Sequence, residues 1–264
     1  MTEERLVEIF DQGWLAGVLH LPEQSTWPCP LVIYCPGKNG ERYEVHRLAI
    51  KFARMLAGMG IAFLRFDYYG LGLSDGKYHH MTTSTKVSNI IAAHRYAATL
   101  RAVDKSRMAY LGFSDGARIA LMASQRTTVK DLVLWSPLFC EIGGNFPNKK
   151  HPRFTRHSRD RDSLVMPWAG LWVGMEFYRD LQSIDINREL SDFQGRSIMV
   201  YGNDDLLIKE EMEQLATDRY AVYRGDGRNT VCRVDKAGHL FTSVPLEREL
   251  MKLSSDWLVR LWDR

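Results

Sequence analysis

The stretch from Met108 to Gly116 constrains this chain more than any other. An apolar run, Met108 to Leu111, leads straight into Gly112-Phe-Ser-Asp-Gly116, and Ala117 to Ala123 continues as a helix-compatible run of mostly small and apolar residues. Such a sequence predicts a strand, a tight turn and a helix with nothing between them. Two glycines bracket Ser114 because a side chain at either would crowd the adjoining strand and helix. The pattern therefore predicts a serine hydroxyl held at the edge of a sheet, over the N-terminus of a helix.

The rest of the chain supplies the sheet. Leu6 to Phe10 and Leu15 to Leu21 flank Asp11-Gln-Gly13 and predict an N-terminal hairpin. Leu31 to Cys35, Ile61 to Phe66, Leu132 to Trp135, Ile198 to Tyr201 and Val231 to Val234 predict buried strands. Between them, Val45, Leu48, Ala49, Phe52 and Leu56 repeat at helical spacing, and Gly58 and Gly60 end that run. Val87, Ile90, Ile91 and Ala98 mark another helix, with His94 packed on the same face. Leu246, Leu250, Leu253, Trp257 and Leu261 mark the last one. Short apolar strands separated by helices predict an α/β fold, with a mostly parallel central sheet flanked by helices. A length of 264 residues suits one such domain with a full core.

One segment interrupts this rhythm. From Pro137 to about Leu190 no strand is predicted. A basic run, Asn148 to Arg161, precedes an apolar, aromatic stretch from Leu164 to Phe177. The expected organisation is a core of residues 1–136 and 191–264 and a small cap insertion, 137–190, over the carboxyl edge of the sheet, where open α/β sheets bind ligands. A formal net charge of +3 is too small to argue for nucleic acid. The charged N-terminus has no apolar stretch behind it, so no secretory leader is expected, and no run is long enough to span a membrane. The four cysteines, Cys29, Cys35, Cys140 and Cys232, show no paired spacing and read as reduced thiols of a cytoplasmic protein, Cys35 as a packing residue.

A serine hydroxyl becomes a nucleophile when a base takes its proton, and the base works best when a carboxylate holds its tautomer. Tyr201-Gly-Asn-Asp-Asp-Leu-Leu-Ile208 follows a strand and offers Asp204 and Asp205. Lys236-Ala-Gly-His-Leu-Phe241 follows the last strand and offers His239. Asp235 sits where its strand holds it away. His46, His79 and His80 lie in polar contexts, and His151 and His157 in the basic run. No two histidines stand four apart on a helix with a glutamate between them, so no metal is expected.

Four motifs resemble the α/β-hydrolase superfamily across almost the whole chain. They are Gly112-Phe-Ser114-Asp-Gly116; Gly202, Asp205 and Ile208 in a G-x-x-D-x-x-[IV] loop; Ala237-Gly-His239; and Asp67-Tyr-Tyr-Gly70-Leu-Gly72-Leu-Ser74, similar to the family's D-x-x-G-x-G-x-S turn. The tail Ser74-Asp-Gly76, followed by Met81-Thr82, resembles the compact carboxylesterase branch that includes feruloyl and cinnamoyl esterases. The resemblance implies Ser114 as nucleophile, Asp205 as acid and His239 as base, with oxyanion donors from the backbone of Asp115 and Lys38. It also implies that Asp67 and its glycines are structural. Where the family writes His-Gly-x after the first buried strand, this chain writes Pro36-Gly37-Lys38. The glycine is kept; the histidine, and the hydrogen bonds it would make, are not.

The implied activity is cleavage of a carboxylic ester or thioester through an acyl-enzyme, with a small-molecule acyl substrate and no cofactor. The alternatives are a thioesterase or acyltransferase that docks an acidic carrier on the basic run, a carbon–carbon bond hydrolase or lyase, and a non-catalytic ligand receptor on the same fold. Asp115, directly after the nucleophile, carries two expectations: that it opens a helix, and that its carboxylate faces the pocket mouth to bind a cationic substrate group.

Overall fold

The computed structural model describes residues 2–140, 153–168 and 170–263. Strands β1 (Glu3–Phe10) and β2 (Trp14–Leu21) form the expected hairpin. There follow β3 (Cys29–Cys35), α1 (Leu48–Gly58), β4 (Ala62–Phe66), α2 (Thr83–Thr99), β5 (Val103–Phe113), α3 (Gly116–Arg126) and β6 (Asp131–Trp135). The order across the main sheet is β1-β2-β4-β3-β5-β6-β10-β11, completed by β10 (Arg196–Gly202) and β11 (Asn229–Val234). Within this sheet the β1–β2 and β2–β4 pairings are antiparallel and the other five are parallel.

The continuous apolar runs resolve into two interleaved faces, as a side-chain period of two requires. Leu31, Ile33, Cys35, Tyr110, Leu132, Leu134 and Met199 pack on the layer that holds α2 and α3. Val32, Tyr34, Leu111, Val133, Trp135, Ile198 and Val200 pack against α1 and the last helix, α8 (Val244–Trp262). Burial on both faces is what makes these strands read as unbroken hydrophobic stretches. His94, on α2, is half-buried, with its Nε2 3.4 Å from Thr128 Oγ1.

The segment between β6 and β10 departs from the sequence expectation. It contains a second, three-stranded antiparallel sheet: β7 (Thr155–Arg156), β8 (Leu164–Trp168) and β9 (Leu171–Gly174). Pro167 obscures β8 in the sequence, since proline supplies no ladder donor. It is accommodated because β7 pairs only as far as Val165. Helices α4 (Met175–Gln182) and α5 (Ile186–Asp192) follow and pack on α2 and α3 respectively. Gly174 lies so close to the His79 carbonyl that a β-carbon there would collide with it. The added layer therefore rests on the turn that follows β4. The remaining helices, α6 (Leu206–Gln214) and α7 (Ala221–Arg224), sit between β10 and β11. Among the described residues, no helix is long and apolar enough to cross a membrane.

Candidate active site

Strand β5 ends at Phe113 and α3 begins at Gly116, so Ser114 occupies the turn between them with φ of 54°. That is the left-handed region, unfavourable for a residue with a β-carbon. The turn is locked by sterics. A β-carbon on Gly112 would lie 2.6 Å from Ala117 Cα, and one on Gly116 would lie 2.6 Å from the Pro36 carbonyl oxygen. Ser114 N–H donates to the Trp135 carbonyl at 2.9 Å, and the Ser114 carbonyl accepts from Ala117 and Leu138 N–H, both at 3.0 Å. The strained residue is thus held from three sides.

The acid loop reaches the same edge. Asp205 is 2% exposed and caps α6: its Oδ1 accepts from Leu207 N–H at 3.0 Å and Ile208 N–H at 3.4 Å. The other oxygen, Oδ2, lies 2.7 Å from His239 Nδ1, and His239 Nε2 lies 2.9 Å from Ser114 Oγ. A carboxylate only accepts, so Nδ1 carries the proton and Nε2 is left to accept from the serine hydroxyl. The structure therefore brings Ser114, His239 and Asp205 into one hydrogen-bonded line.

The neighbours of Asp205 hold the histidine loop. Asp204 Oδ1 accepts from Gly238 N–H at 2.8 Å, and Asn203 Oδ1 accepts from Lys236 N–H at 3.0 Å. Asn203 Nδ2 donates to Asp235 Oδ1 at 2.8 Å. Asn203 and Asp204 thus anchor three points of the loop from Asp235 to Gly238, while the next residue, Asp205, meets the imidazole. From the other side, His46 Nε2 donates to the Leu240 carbonyl at 2.7 Å and His46 Nδ1 lies 2.6 Å from Glu247. The polar surroundings of His46 gave no hint of this role.

Cys35 and Gly112 are paired in the β3–β5 ladder, which sets the loop after β3 beside Ser114. Glu44 fixes that loop. Its Oε2 accepts from Tyr34 Oη at 2.6 Å and from Gly37 N–H at 3.2 Å. Burial pushes the Glu44 carboxyl upward, against these donors. Gly37 N–H is thereby committed to the loop itself. Lys38 comes next, its ammonium 5.0 Å from the Phe177 ring centroid on α4. Asp67 is fully buried and accepts from Arg42 N–H at 2.7 Å, Leu73 N–H at 2.9 Å and the Arg42 guanidinium. It ties the Gly70–Ser74 turn in place, its own carbonyl accepting from Ser74 Oγ at 2.7 Å.

Asp115 corrects one expectation. Its carboxylate does not face a pocket mouth. It is 4% exposed, turned inward onto Lys86 Nζ at 2.9 Å and onto the Arg118 guanidinium. Burial pushes its carboxyl up, but Arg118 and Lys86 outweigh that and hold it well below the usual range. Buried, and with each oxygen turned onto a buried cation, it is not presented to a substrate amine. Cys35 is fully buried and its thiol is pushed well upward by that burial.

Of the basic run, Arg153, Arg156, Arg159 and Arg161 are exposed, and Lys149 and Lys150 lie outside the described residues. His79 and His80 gather around Asp160: each Nε2 lies 2.9 Å from the same oxygen, Oδ2, and His157 stacks on His79 with ring centroids 4.5 Å apart. Because the carboxylate accepts only, both imidazoles donate, and the cluster is satisfied as a clasp between the small sheet and the turn after β4.

The eight-stranded sheet, its order and its flanking helices define an α/β hydrolase. Residues 3–148 match the model of the Esterase FrsA-like family, and the chain belongs to that family. It is 31% identical over 133 residues to an uncharacterised protein of Mycobacterium tuberculosis, covering 50% of this chain and 45% of that one. It is 31% identical over 119 residues to Esterase FrsA of Yersinia enterocolitica, covering 45% of this chain and 27% of that one. The chain thus spans less than half the length of these curated relatives. Similar solved structures include Est1E of Butyrivibrio proteoclasticus with ferulic acid bound, with a TM-score of 0.74 and 22% identity over 95% of this chain and 98% of that one. The complex of DcsB with its substrate analogue has a TM-score of 0.76 and 14% identity over 98% and 99%. Dienelactone hydrolase of Anabaena variabilis has a TM-score of 0.67 and 17% identity over 98% of each chain. At these identities the likeness is one of fold.

Proposed function

We propose that this chain is a serine esterase that works through an acyl-enzyme. The observation that carries the reading is the line from Ser114 Oγ through His239 to Asp205, with separations of 2.9 and 2.7 Å. Ser114 Oγ attacks the ester carbonyl carbon as His239 Nε2 takes its proton. The tetrahedral oxyanion accepts from the backbone N–H groups of Asp115 and Lys38. The intermediate collapses, His239 returns the proton to the leaving alcohol, and the acyl group stays on Ser114. Water, deprotonated by the same imidazole, then releases the acid. Asp205 keeps the imidazole in the productive tautomer and stabilises its cation.

Residues 137–190 are read as the cap of this site, of which residues 141–152 and 169 lie outside the described residues. The contact of Phe177 with Lys38, beside Ser114, supports that role. The occupant of a similar structure, ferulic acid in Est1E, makes aryl-substituted acyl groups the first substrates to test. All four cysteines are free thiols, which supports a reducing, cytoplasmic setting.

The test pairs a fluorophosphonate probe with a substrate panel. The probe should label Ser114 and fail on Ser114→Ala. p-Nitrophenyl esters with short and aryl acyl groups should turn over faster than the matching acyl thioesters. An unlabelled wild-type chain would overturn the serine mechanism; faster thioester turnover would replace the esterase reading by a thioesterase.

A further inference from the structure

We propose that Lys86 is a positioning residue of the oxyanion hole, clamping together the two backbone segments that carry its donors. The inference rests on the serine-esterase reading above and deepens it. Lys86 belongs to the first turn of α2, an element that supplies none of the reacting groups. Its side chain is fully buried. From there its ammonium donates to Asp115 Oδ2 at 2.9 Å and to the Lys38 carbonyl at 3.1 Å. One cation therefore bridges the residue after the nucleophile and the residue in the loop after β3. These are the two residues whose N–H groups would receive the oxyanion. The third side of the ammonium faces the Tyr68 ring, 5.3 Å from its centroid.

Several features show that this cation is held rather than merely tolerated. Thr82 and Thr85 cap α2 reciprocally, at 2.8 and 3.1 Å, and fix the turn from which Lys86 projects. Asn89, one turn on, accepts from Tyr69 N–H at 2.9 Å and ties α2 to the loop after β4. Asp115 completes the clamp by pairing its other oxygen with Arg118, whose guanidinium also donates to the Phe139 carbonyl at 3.3 Å. Burial pulls the Lys86 ammonium downward, and Asp115 opposes that. Lys86 shares Asp115 as counter-ion with Arg118, so part of its field on an oxyanion is offset. Its contribution is geometric: donors must sit within a few tenths of an ångström of the oxyanion, and the two segments share no backbone hydrogen bond of their own among the described residues.

The test separates positioning from charge neutralisation. Lys86→Met keeps the aliphatic stem and leaves Asp115 buried with Arg118 alone, so its Tm falls. Lys86→Met combined with Asp115→Leu and Arg118→Met removes the whole buried charge group, keeps both backbone donors and recovers Tm. If Lys86 positions the hole, kcat for p-nitrophenyl acetate stays about 10- to 100-fold low in both variants at near-constant KM. The inhibition constant of an aryl trifluoromethyl ketone, which forms an oxyanion on Ser114, rises by the same factor, while that of a product carboxylic acid does not move. Recovery of kcat and ketone affinity together with Tm in the triple variant would overturn the proposal and leave Lys86 as one charge of a buried ionic group. Failure of the underlying reading shows separately: the wild-type chain would then resist fluorophosphonate at Ser114, whatever stands at position 86, and the clamp would fall with it.

Discussion

The loops above the sheet edge and the charged layer beneath them are held by different physics. Ser114, Asp205 and His239 are placed by backbone constraints written close to them in the chain: glycines that admit tight contacts, a cap on α6, and the anchors that Asn203 and Asp204 give the histidine loop. The layer beneath, Lys86, Asp115, Arg118 and Glu211, is placed by pairing across elements, Lys86 with Asp115 and Glu211 with Phe139, and by the Asp115–Arg118 pair at the start of α3. Glu211, on α6, accepts from Phe139 and Cys140 N–H at 2.8 and 3.1 Å and from Tyr223 Oη. The first region tolerates few backbone changes but little depends on its net charge. The second depends on every charge keeping its partner, since breaking a buried pair costs about 3–5 kcal/mol.

If that division holds, the largest losses come from the upper region and leave stability nearly untouched. Ser114→Ala and His239→Ala should each lower kcat by on the order of 10⁴, and the double variant should be little worse, because the groups act as one unit. Thermal melts should move by a few degrees at most. Near-normal turnover in Ser114→Ala would break the assignment. Next in size is Asp205→Asn, expected to lower kcat by roughly 10³ to 10⁴ by favouring the wrong tautomer. Asp204→Asn keeps an oxygen for Gly238 N–H and should cost less than about tenfold. Equal losses at the two positions would show that anchoring the loop matters as much as orienting the imidazole.

The same division explains what could be read from the sequence. The turn around Ser114 was legible because Gly112 and Gly116 answer to local sterics, and the choice of Asp205 over Asp204 came from the resemblance to the G-x-x-D-x-x-[IV] loop. Most of the sheet was legible because strands buried on two faces leave continuous apolar runs. Lys86 was not legible: a lysine on a polar stretch of α2 reads as a solvated residue, and only the packing of α2 beside α3 buries it. Asp115 was misplaced for the same reason, since its partner stands 29 residues away. The small sheet escaped because Pro167 interrupts β8 and β7 has only two residues. His46 holds the histidine loop across 194 residues, a relation no local pattern carries.

Glu211 sharpens the comparison through pH. Burial pushes its carboxyl up to about 7, against the pull of Tyr223 Oη and the Cys140 and Phe139 N–H donors. A folded-state value raised above the ordinary 4.5 means that stability is fully present below about pH 4.5 and is lost as pH rises through about 7. The loss amounts to about 3 kcal/mol once the group is ionised. Glu211→Gln should therefore flatten the stability profile between about pH 5 and 8 and gain most over the wild type at the upper end. Urea midpoints across that range read it directly. A wild type that is more stable than the Glu211→Gln variant at the alkaline end would show that the three donors, not burial, govern the carboxylate.

The smallest effect is expected on the exposed arginines of the cap, which belong to neither region. Arg153, Arg156 and Arg159 point to solvent beside the clasp of His79, His80 and Asp160. Charges in that position act at a distance and are screened within about 8 Å at physiological salt. Replacing the three with Ser should leave kcat and Tm unchanged. If the cluster guides an anionic acyl group or an acidic carrier, KM for that partner should rise several-fold at low salt while KM for a neutral ester stays constant. The difference between wild type and variant should vanish as salt is raised, because screening removes the same attraction that the substitutions remove. A KM for anionic substrates that ignores both salt and substitution would leave these arginines as solvated surface and confine recognition to the pocket over Ser114.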